Sequence, residues 1–150
     1  MHKLIASGVY VGFIPRRLWG SDSGAGTFGA ALAALISVAL WGTPWWTGVI
    51  AFLVALGLSL WSAAPFAVDG KDPGWVCIDE VAGTLVALIG LTGWPWLVAL
   101  VVARLADIFK VLPGVGAAED LHGAVGITMD DVVAGLYGLA AGWATYALLG

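Results

Sequence analysis

The stretch Asp72-Pro-Gly-Trp-Val-Cys-Ile-Asp79-Glu80-Val-Ala-Gly83-Thr84 decides how the rest of this chain is interpreted. It places three carboxylates within nine residues, and the last two stand where an uncharged apolar segment begins. Charged groups at the edge of hydrocarbon are unfavourable, so they are usually retained for a functional site. We therefore expect other polar residues of the chain to converge on Asp79 and Glu80.

The composition indicates a membrane protein. Of the 150 residues, 61% are hydrophobic and only 11% are charged, whereas a soluble domain carries about 25% charged residues. The nine tryptophans are typical of interfacial aromatic belts. The chain is acidic and shows no basic patch, so we predict no nucleic-acid partner. The single cysteine, Cys77, excludes an internal disulfide and a CxxC metal site.

The apolar runs predict an all-α polytopic membrane protein, a bundle of about five transmembrane helices that forms one domain over residues 1–150. A short run at residues 4–14 would make a helix of only about 16 Å, and Pro15-Arg16-Arg17 follows it. We predict that it is an interfacial or re-entrant segment. The predicted spans are residues 27–42, 45–68, 79–92, 96–112 and 130–149.

The charges fall on one side of such a bundle. All six Lys and Arg, all ten Asp and Glu and both histidines lie on the side of residues 1–27, 69–80 and 110–131, or within two helical turns of it. The opposite turns, at residues 41–46 and 91–96, carry no charge and are rich in Trp and Pro. The positive-inside rule makes the charged face cytoplasmic.

Three predicted spans begin on the charged face, and each start carries a polar signature. Helix N-termini attract anions, so capping alone would account for Asp79 and Asp130. Capping needs one acceptor, however, and two acidic doublets on one face indicate a divalent cation such as Mg²⁺. The small residues before the first span would suit either a phosphate cradle or a flexible linker. The three signatures are Gly24-Ala-Gly26-Thr27, Asp79-Glu80 and Asp130-Asp131.

Further polar residues lie near the end of the fourth span. Arg104, Asp107 and Lys110 are spaced by three residues and share one helical face. Arg and Lys could contact a phosphate, or Arg104 and Asp107 could form an internal salt bridge. His122 could protonate a leaving group, or it could be an incidental loop histidine. The motifs of thiol, aspartyl and histidine phosphatases are missing, which leaves metal-assisted chemistry through carboxylates.

With these residues in view, the chain resembles the phosphatidylglycerophosphatase A family in four places, in order and at the right spacing. Ala25 and Val111 depart from family prolines, and every charged position is kept. The four pieces are Gly26-Thr27 with Gly29, Asp72 with Asp79-Glu80 and Gly83, Arg104-Leu-Ala-Asp107-Ile-Phe-Lys110 with Pro113, and His122-Gly with Gly126, Met129-Asp130-Asp131 and Gly135.

The resemblance implies a Mg²⁺-dependent lipid phosphatase of the bacterial inner membrane that converts phosphatidylglycerophosphate to phosphatidylglycerol and phosphate. Either a metal-activated water or an aspartyl-phosphate could carry the reaction. The implied roles are metal binding by Asp79, Glu80, Asp107, Asp130 and Asp131, catalysis by Asp79, Glu80, Asp131 and Arg104, and substrate binding by Gly26, Thr27, Arg104, Lys110 and His122.

Other functions compete with this interpretation. Intramembrane acids also mark ion pathways, but a transporter or channel would carry polar groups across the whole span, and here the far half is bare. The motif spacing of CDP-alcohol phosphotransferases is absent. Within the phosphatases, a different lipid phosphate is the alternative substrate, because no residue visible in the sequence recognises the glycerol headgroup. The oligomeric state stays open, because Gly135, Gly138 and Gly142 would suit packing within one bundle or between protomers.

Overall fold

A computed structural model describes residues 1–67, 73–110, 112–119, 121 and 123–149. Within these ranges the chain forms α-helices and short 3₁₀ turns and contains no β-strand, which confirms the predicted all-α class. The α-helices in chain order are α1 (His2–Ala6), α2 (Ile14–Trp19), α3 (Ala25–Ala39), α4 (Trp46–Ala63), α5 (Ile78–Ala87), α6 (Gly93–Phe109), α7 (Val115–Glu119) and α8 (Gly123–Leu149).

Helix α5 is the centre of the bundle. Nine of its ten residues are buried, and it packs against α3, α4 and α8. The helix ends at Ala87 and is followed by a turn in which Gly90 has a φ of 71°. Ten residues make only about 15 Å, so the predicted third span, residues 79–92, is not a full-length helix. Irregular backbone at membrane depth is tolerated when protein surrounds it.

Two helical segments are long and apolar enough to cross a membrane, namely Trp46–Phe66 with 21 residues and Gly123–Leu149 with 27. Helix α3 has 15 residues and α6 has 17. These correspond to about 22 and 25 Å, somewhat less than a hydrocarbon core of about 30 Å. The number of crossings therefore stays a prediction.

Helix α8 starts earlier than the sequence pattern suggests. It begins at Gly123, whose φ is 73°, seven residues before Asp130. The prediction that the last span begins at Asp130 is therefore wrong, and the stretch between the predicted fourth and fifth spans contains α7 and the first two turns of α8. Residues 123–129 carry no charge, so they form the first turns of α8 without placing a charged side chain in the bundle.

The two ends of the bundle differ in chemistry. At one end the first turns of α3 and α5 meet the first half of α8 beside the end of α6, and five of the described acids lie there, namely Asp79, Glu80, Asp107, Asp130 and Asp131. At the other end the Trp41 and Trp96 rings meet edge to face, with centroids 5.9 Å apart. The Trp96 indole N–H donates to Ser37 Oγ at 3.0 Å. This separation agrees with the predicted division into a charged face and an aromatic face.

The N-terminal segment contains no continuous helix that could cross a bilayer. Helix α1 ends at Ala6, and Gly8, Val9 and Tyr10 all have positive φ before a 3₁₀ turn at Val11–Phe13. The Ala6 carbonyl accepts a hydrogen bond from the backbone N–H of Cys77 at 2.9 Å. This bond holds the N-terminal segment against the start of α5.

Candidate metal centre

Three carboxylates converge at the charged end of the bundle. Asp79 and Glu80 lie in the first turn of α5, and Asp131 lies on α8. One oxygen from each lies within 4.8 Å of the other two. Asp79 and Asp131 are buried, Glu80 is partly buried, and Glu80 Oε2 is a buried atom with no hydrogen-bond partner among the described residues. We call Asp79, Glu80 and Asp131 the acidic cluster.

Helix capping does not explain these acids. The N-cap residue of α5 is Cys77, which makes no side-chain capping bond, and Asp79 Oδ1 accepts the backbone N–H of the neighbouring Glu80 at 3.1 Å. Asp130 and Asp131 lie two turns inside α8, away from its free N–H groups. Neither acidic doublet is therefore an N-cap, although Asp79 accepts one first-turn N–H group of α5.

Two glycines allow α5 and α8 to approach beside the acidic cluster. A Cβ added at Gly83 would lie 2.5 Å from the carbonyl oxygen of Asp131. A Cβ at Gly135 would collide with the carbonyl oxygen of Gly83. Each glycine follows an acid of the cluster by about one turn, so the close crossing fixes the separation of the two sets of carboxylates. Gly135 thus serves packing within the chain.

The start of α3 borders the cluster. A Cβ at Gly26 would collide with Glu80 Oε1, and a Cβ at Gly29 would lie 2.7 Å from the carbonyl oxygen of Cys77. The structure therefore brings Gly26 against the acids, whereas the side chain of Thr27 is exposed. The sequence pattern suggested a phosphate cradle at Gly26, and its contact with Glu80 is a feature that the pattern does not reveal.

Arg104 lies at the edge of the acidic cluster, and the carboxylate of Asp107 links it to the cluster. Its Nη1 lies 2.7 Å from Asp107 Oδ2, and both side chains are about four-fifths buried. Asp107 in turn lies beside Asp131, close enough for the two carboxyl groups to interact. The internal salt bridge that the sequence left as one alternative is present. This salt bridge holds the Arg104 guanidinium next to the acidic cluster, and Asp107 remains beside the cluster as well.

Asp130 is turned toward a different partner from Asp131. Lys110 Nζ lies 2.9 Å from Asp130 Oδ2, and Asp130 Oδ1 accepts the backbone N–H of Asp131 at 2.9 Å. Successive helical residues point about 100° apart, so the two acids cannot serve one compact site equally. Of the five predicted metal ligands, the structure groups Asp79, Glu80 and Asp131, places Asp107 beside them and pairs Asp130 with Lys110. His122 lies outside the described residues.

Cys77 lies next to the cluster and is expected to take no part in the chemistry. Burial, and then the negative charge of Asp79, raise the pKa of its thiol to about 12. At pH 8 only about one molecule in ten thousand would carry the thiolate. We expect Cys77→Ala to keep phosphate release within about two-fold of wild type. We also expect iodoacetamide to label Cys77 only after unfolding, as intact-mass measurement would show; rapid labelling of the folded protein would contradict this.

The comparisons with known proteins agree with the geometry. A family model for phosphatidylglycerophosphatase A matches residues 4–146. The chain belongs to the phosphatidylglycerophosphatase A family. It is 34% identical to a putative phosphatidylinositol-3-phosphatase of Bacteroides thetaiotaomicron, over 89% of this chain and 86% of that protein. It is 28% identical to phosphatidylglycerophosphatase A of Escherichia coli K12, over 74% of this chain and 67% of that protein. No solved structure matches the chain.

Family membership makes the chain a phosphatase, and it confirms the family and the enzyme class that the sequence motifs predicted. The matched residues include the acidic cluster, Arg104, Asp107, Lys110 and Asp130. Lipid-phosphate chemistry follows at the level of the family. The two relatives carry the names of different lipid substrates, so the individual substrate needs its own argument.

Proposed function

We propose that this protein is a Mg²⁺-dependent phosphatase that hydrolyses phosphatidylglycerophosphate to phosphatidylglycerol and phosphate. The observation that carries the proposal is the acidic cluster, with ligand oxygens of Asp79, Glu80 and Asp131 within 4.8 Å of one another. The substrate is supported by the family match and by the Escherichia coli relative. The name of the Bacteroides relative makes a phosphoinositide the second substrate to test.

The acidic cluster fits a divalent cation. Three carboxylates this close repel one another when ionised, and a bound cation would remove the repulsion. All the donors are carboxylate oxygens, which Mg²⁺ prefers. Glu80 Oε2 is buried and lacks a hydrogen-bond partner among the described residues, so it is available as a ligand. A magnesium ion would supply polarisation of the phosphoryl oxygens and activation of a nucleophile.

The residues of this chain would bind the cation, balance the charge of the substrate and hold the helices in register. Asp79, Glu80 and Asp131 would hold the cation at the charged end of the bundle. Arg104, positioned by its 2.7 Å ion pair with Asp107, would balance charge on the phosphoryl oxygens. Lys110 pairs with Asp130 and would keep that part of α8 in register with α6.

The attacking group would be either a water or one of the carboxylates. Acid-quenched enzyme distinguishes the two routes, because ³²P that stays on the protein during turnover of labelled substrate marks an aspartyl-phosphate.

The membrane setting is part of the proposal. Two helical segments are long and apolar enough to span a bilayer, and the described charges gather at one end of the bundle. We propose a multi-pass protein of the bacterial inner membrane, one domain over residues 1–150, with its charged end in the cytoplasm. The phosphomonoester of an inner-leaflet lipid would then meet the acidic cluster while its acyl chains remain in the bilayer.

A panel of lipid phosphates tests the proposal. In detergent with Mg²⁺, we expect phosphatidylglycerophosphate to be hydrolysed at least ten-fold faster than phosphatidylinositol 3-phosphate and phosphatidic acid, as measured by phosphate release. EDTA is expected to abolish release, and added Mg²⁺ to restore it. Undiminished turnover after removal of metal would contradict the metal assignment, and a faster reaction with phosphatidylinositol 3-phosphate would reassign the substrate.

A further inference from the structure

A buried hydrogen bond joins α4 to α8 outside the acidic cluster. Ser59 Oγ on α4 lies 2.8 Å from Thr128 Oγ1 on α8, and either hydroxyl can donate. Both residues are 0% exposed, so neither hydroxyl can exchange this partner for bulk water. A buried hydroxyl without a partner lowers stability. The two side chains therefore favour the arrangement of α4 and α8 in which they meet.

Thr128 and Asp131 lie on the same side of α8. Successive helical residues are about 100° apart, so Asp131 lies about 60° around the helix from Thr128, and Gly135 falls between them. Asp130 lies about 160° from Thr128, and its carboxylate pairs with Lys110. The hydrogen bond to α4 therefore holds the side of α8 that carries Asp131 and leaves Asp130 on the other side.

The rotation of α8 needs a contact of this kind in addition to the glycine contact. Gly83 and Gly135 set how closely α5 and α8 approach, but a glycine has no side chain that interlocks with the facing helix. Turning α8 by about 100° would exchange Asp130 for Asp131 at the acidic cluster. The same turn would carry the Thr128 hydroxyl out of hydrogen-bond range of Ser59.

We propose that Ser59 and Thr128 are positioning residues, whose hydrogen bond holds α8 in the rotation that places Asp131 in the acidic cluster. This role rests on the proposed function, because Asp131 is the metal ligand through which the two hydroxyls act. Without the bond, α8 is free to turn and the cation site is weakened. The defect therefore falls mainly on Mg²⁺ affinity, and saturating Mg²⁺ restores much of the rate.

Thr128→Val tests the role, because it removes the hydroxyl and leaves a side chain of similar size. We expect the Mg²⁺ concentration that gives half-maximal phosphate release to rise about ten-fold, as for other partners that orient metal ligands. The Mg²⁺ midpoint of the rise in melting temperature is expected to shift equally. Ser59→Ala removes the partner hydroxyl and is expected to act in the same way, whereas Thr128→Ser keeps a hydroxyl and is expected to restore most of the affinity.

Two matched controls make the same chemical changes on the same helices. Thr145 Oγ1 donates to the Ala141 carbonyl of its own helix at 2.8 Å, so Thr145→Val breaks no bond between helices. Ser62 is also 0% exposed on α4, and its Oγ has no hydrogen-bond partner among the described residues, so Ser62→Ala is the control for Ser59→Ala. Both controls are expected to keep the wild-type Mg²⁺ midpoint. A control that shifted the midpoint as far as Thr128→Val would overturn the proposal.

Combined variants separate positioning from folding. In the double variant Ser59→Ala with Thr128→Val, neither hydroxyl is left unpaired, so the melting temperature is expected to recover toward wild type. The Mg²⁺ midpoint is expected to stay raised, because no bond fixes the rotation of α8. In an Asp131→Asn background, Thr128→Val is expected to change phosphate release less than about two-fold, because the residue that it positions is already altered.

The outcomes distinguish this role from the proposed function. A wild type without any Mg²⁺ response would contradict the proposed function and this role with it. A wild-type response that Thr128→Val fully retains would contradict the positioning role alone. Recovery of the Mg²⁺ midpoint together with the melting temperature in the double variant would assign the two hydroxyls to folding, as would losses that add to those of Asp131→Asn.

Discussion

Asp131→Asn is expected to lower phosphate release by about 10²–10³-fold, the range found when one electrostatic contact to a reacting group is removed. The substitution keeps the shape of the side chain but removes one of three charged ligands in the acidic cluster. Asp79→Asn and Glu80→Gln are expected to act in the same way. Initial rates of phosphate release with saturating Mg²⁺ provide the measurement.

Stability measurements separate loss of metal binding from loss of folding. Without metal, Asp131 faces two like charges within 4.8 Å, so its neutralisation is expected to leave the melting temperature unchanged or to raise it. Mg²⁺ at about 100 times its Kd would stabilise wild type by about 2.7 kcal/mol, and the variant is expected to lose most of that response. A variant that is inactive yet keeps the full Mg²⁺ response would contradict the role of Asp131 as a ligand.

Two other acids serve as comparisons. Asp22→Asn removes a carboxylate that pairs with the largely exposed Arg16 at 3.2 Å, so its effect on phosphate release is expected to stay within about two-fold. Asp130→Asn breaks the ion pair with Lys110 and is expected to cause a smaller loss than Asp131→Asn. If Asp130→Asn caused the larger loss, the distinction that the structure draws between these neighbours would be wrong.

The convergence of Asp79, Glu80 and Asp131 could be predicted because helices that alternate in direction bring their polar ends to the same face. The difference in partners between Asp130, which pairs with Lys110, and Asp131, which joins the cluster, could not be predicted. Which of two adjacent residues faces the cluster depends on the rotation of α8, and that rotation is set by packing. The start of α8 at Gly123 also escaped prediction, since uncharged residues rich in glycine suit a loop and a buried helix equally well.

The length of α5 shows a second limit of sequence patterns. A helix buried on all sides and a helix facing lipid are both apolar, so hydropathy alone cannot distinguish them. Residues 79–92 met the composition expected for a span, and only the structure shows that the helix ends at Ala87 with protein around it. The glycines were visible as close-packing residues, whereas the pairing of Gly83 with Gly135 required the positions of both helices.

Gly83→Ala tests whether that pairing sets the geometry of the acidic cluster. The new methyl group would lie 2.5 Å from the carbonyl oxygen of Asp131, so α5 and α8 must separate. Overpacking of this kind costs about 1–3 kcal/mol, more than the roughly 1 kcal/mol that alanine gains over glycine within a helix. A displacement of about 1 Å at catalytic groups can lower the rate about 10²-fold. We therefore expect a lower melting temperature, a weaker Mg²⁺ response and about 10²-fold slower phosphate release.

Gly57→Ala is the same substitution at another position, and the melting temperature is expected to change in the opposite direction. Gly57 lies inside α4, and a Cβ added there would meet nothing within 4 Å, so only the helical preference for alanine acts, worth up to about 1 kcal/mol. The variant is expected to melt at or above the wild-type temperature and to keep wild-type activity. Because the chemical change is identical at the two positions, a difference in melting temperature or activity between the two variants is attributable to the crossing of α5 and α8. If Gly83→Ala kept wild-type rates and Mg²⁺ response, the acidic cluster would tolerate separation of α5 from α8, and the crossing would serve packing alone.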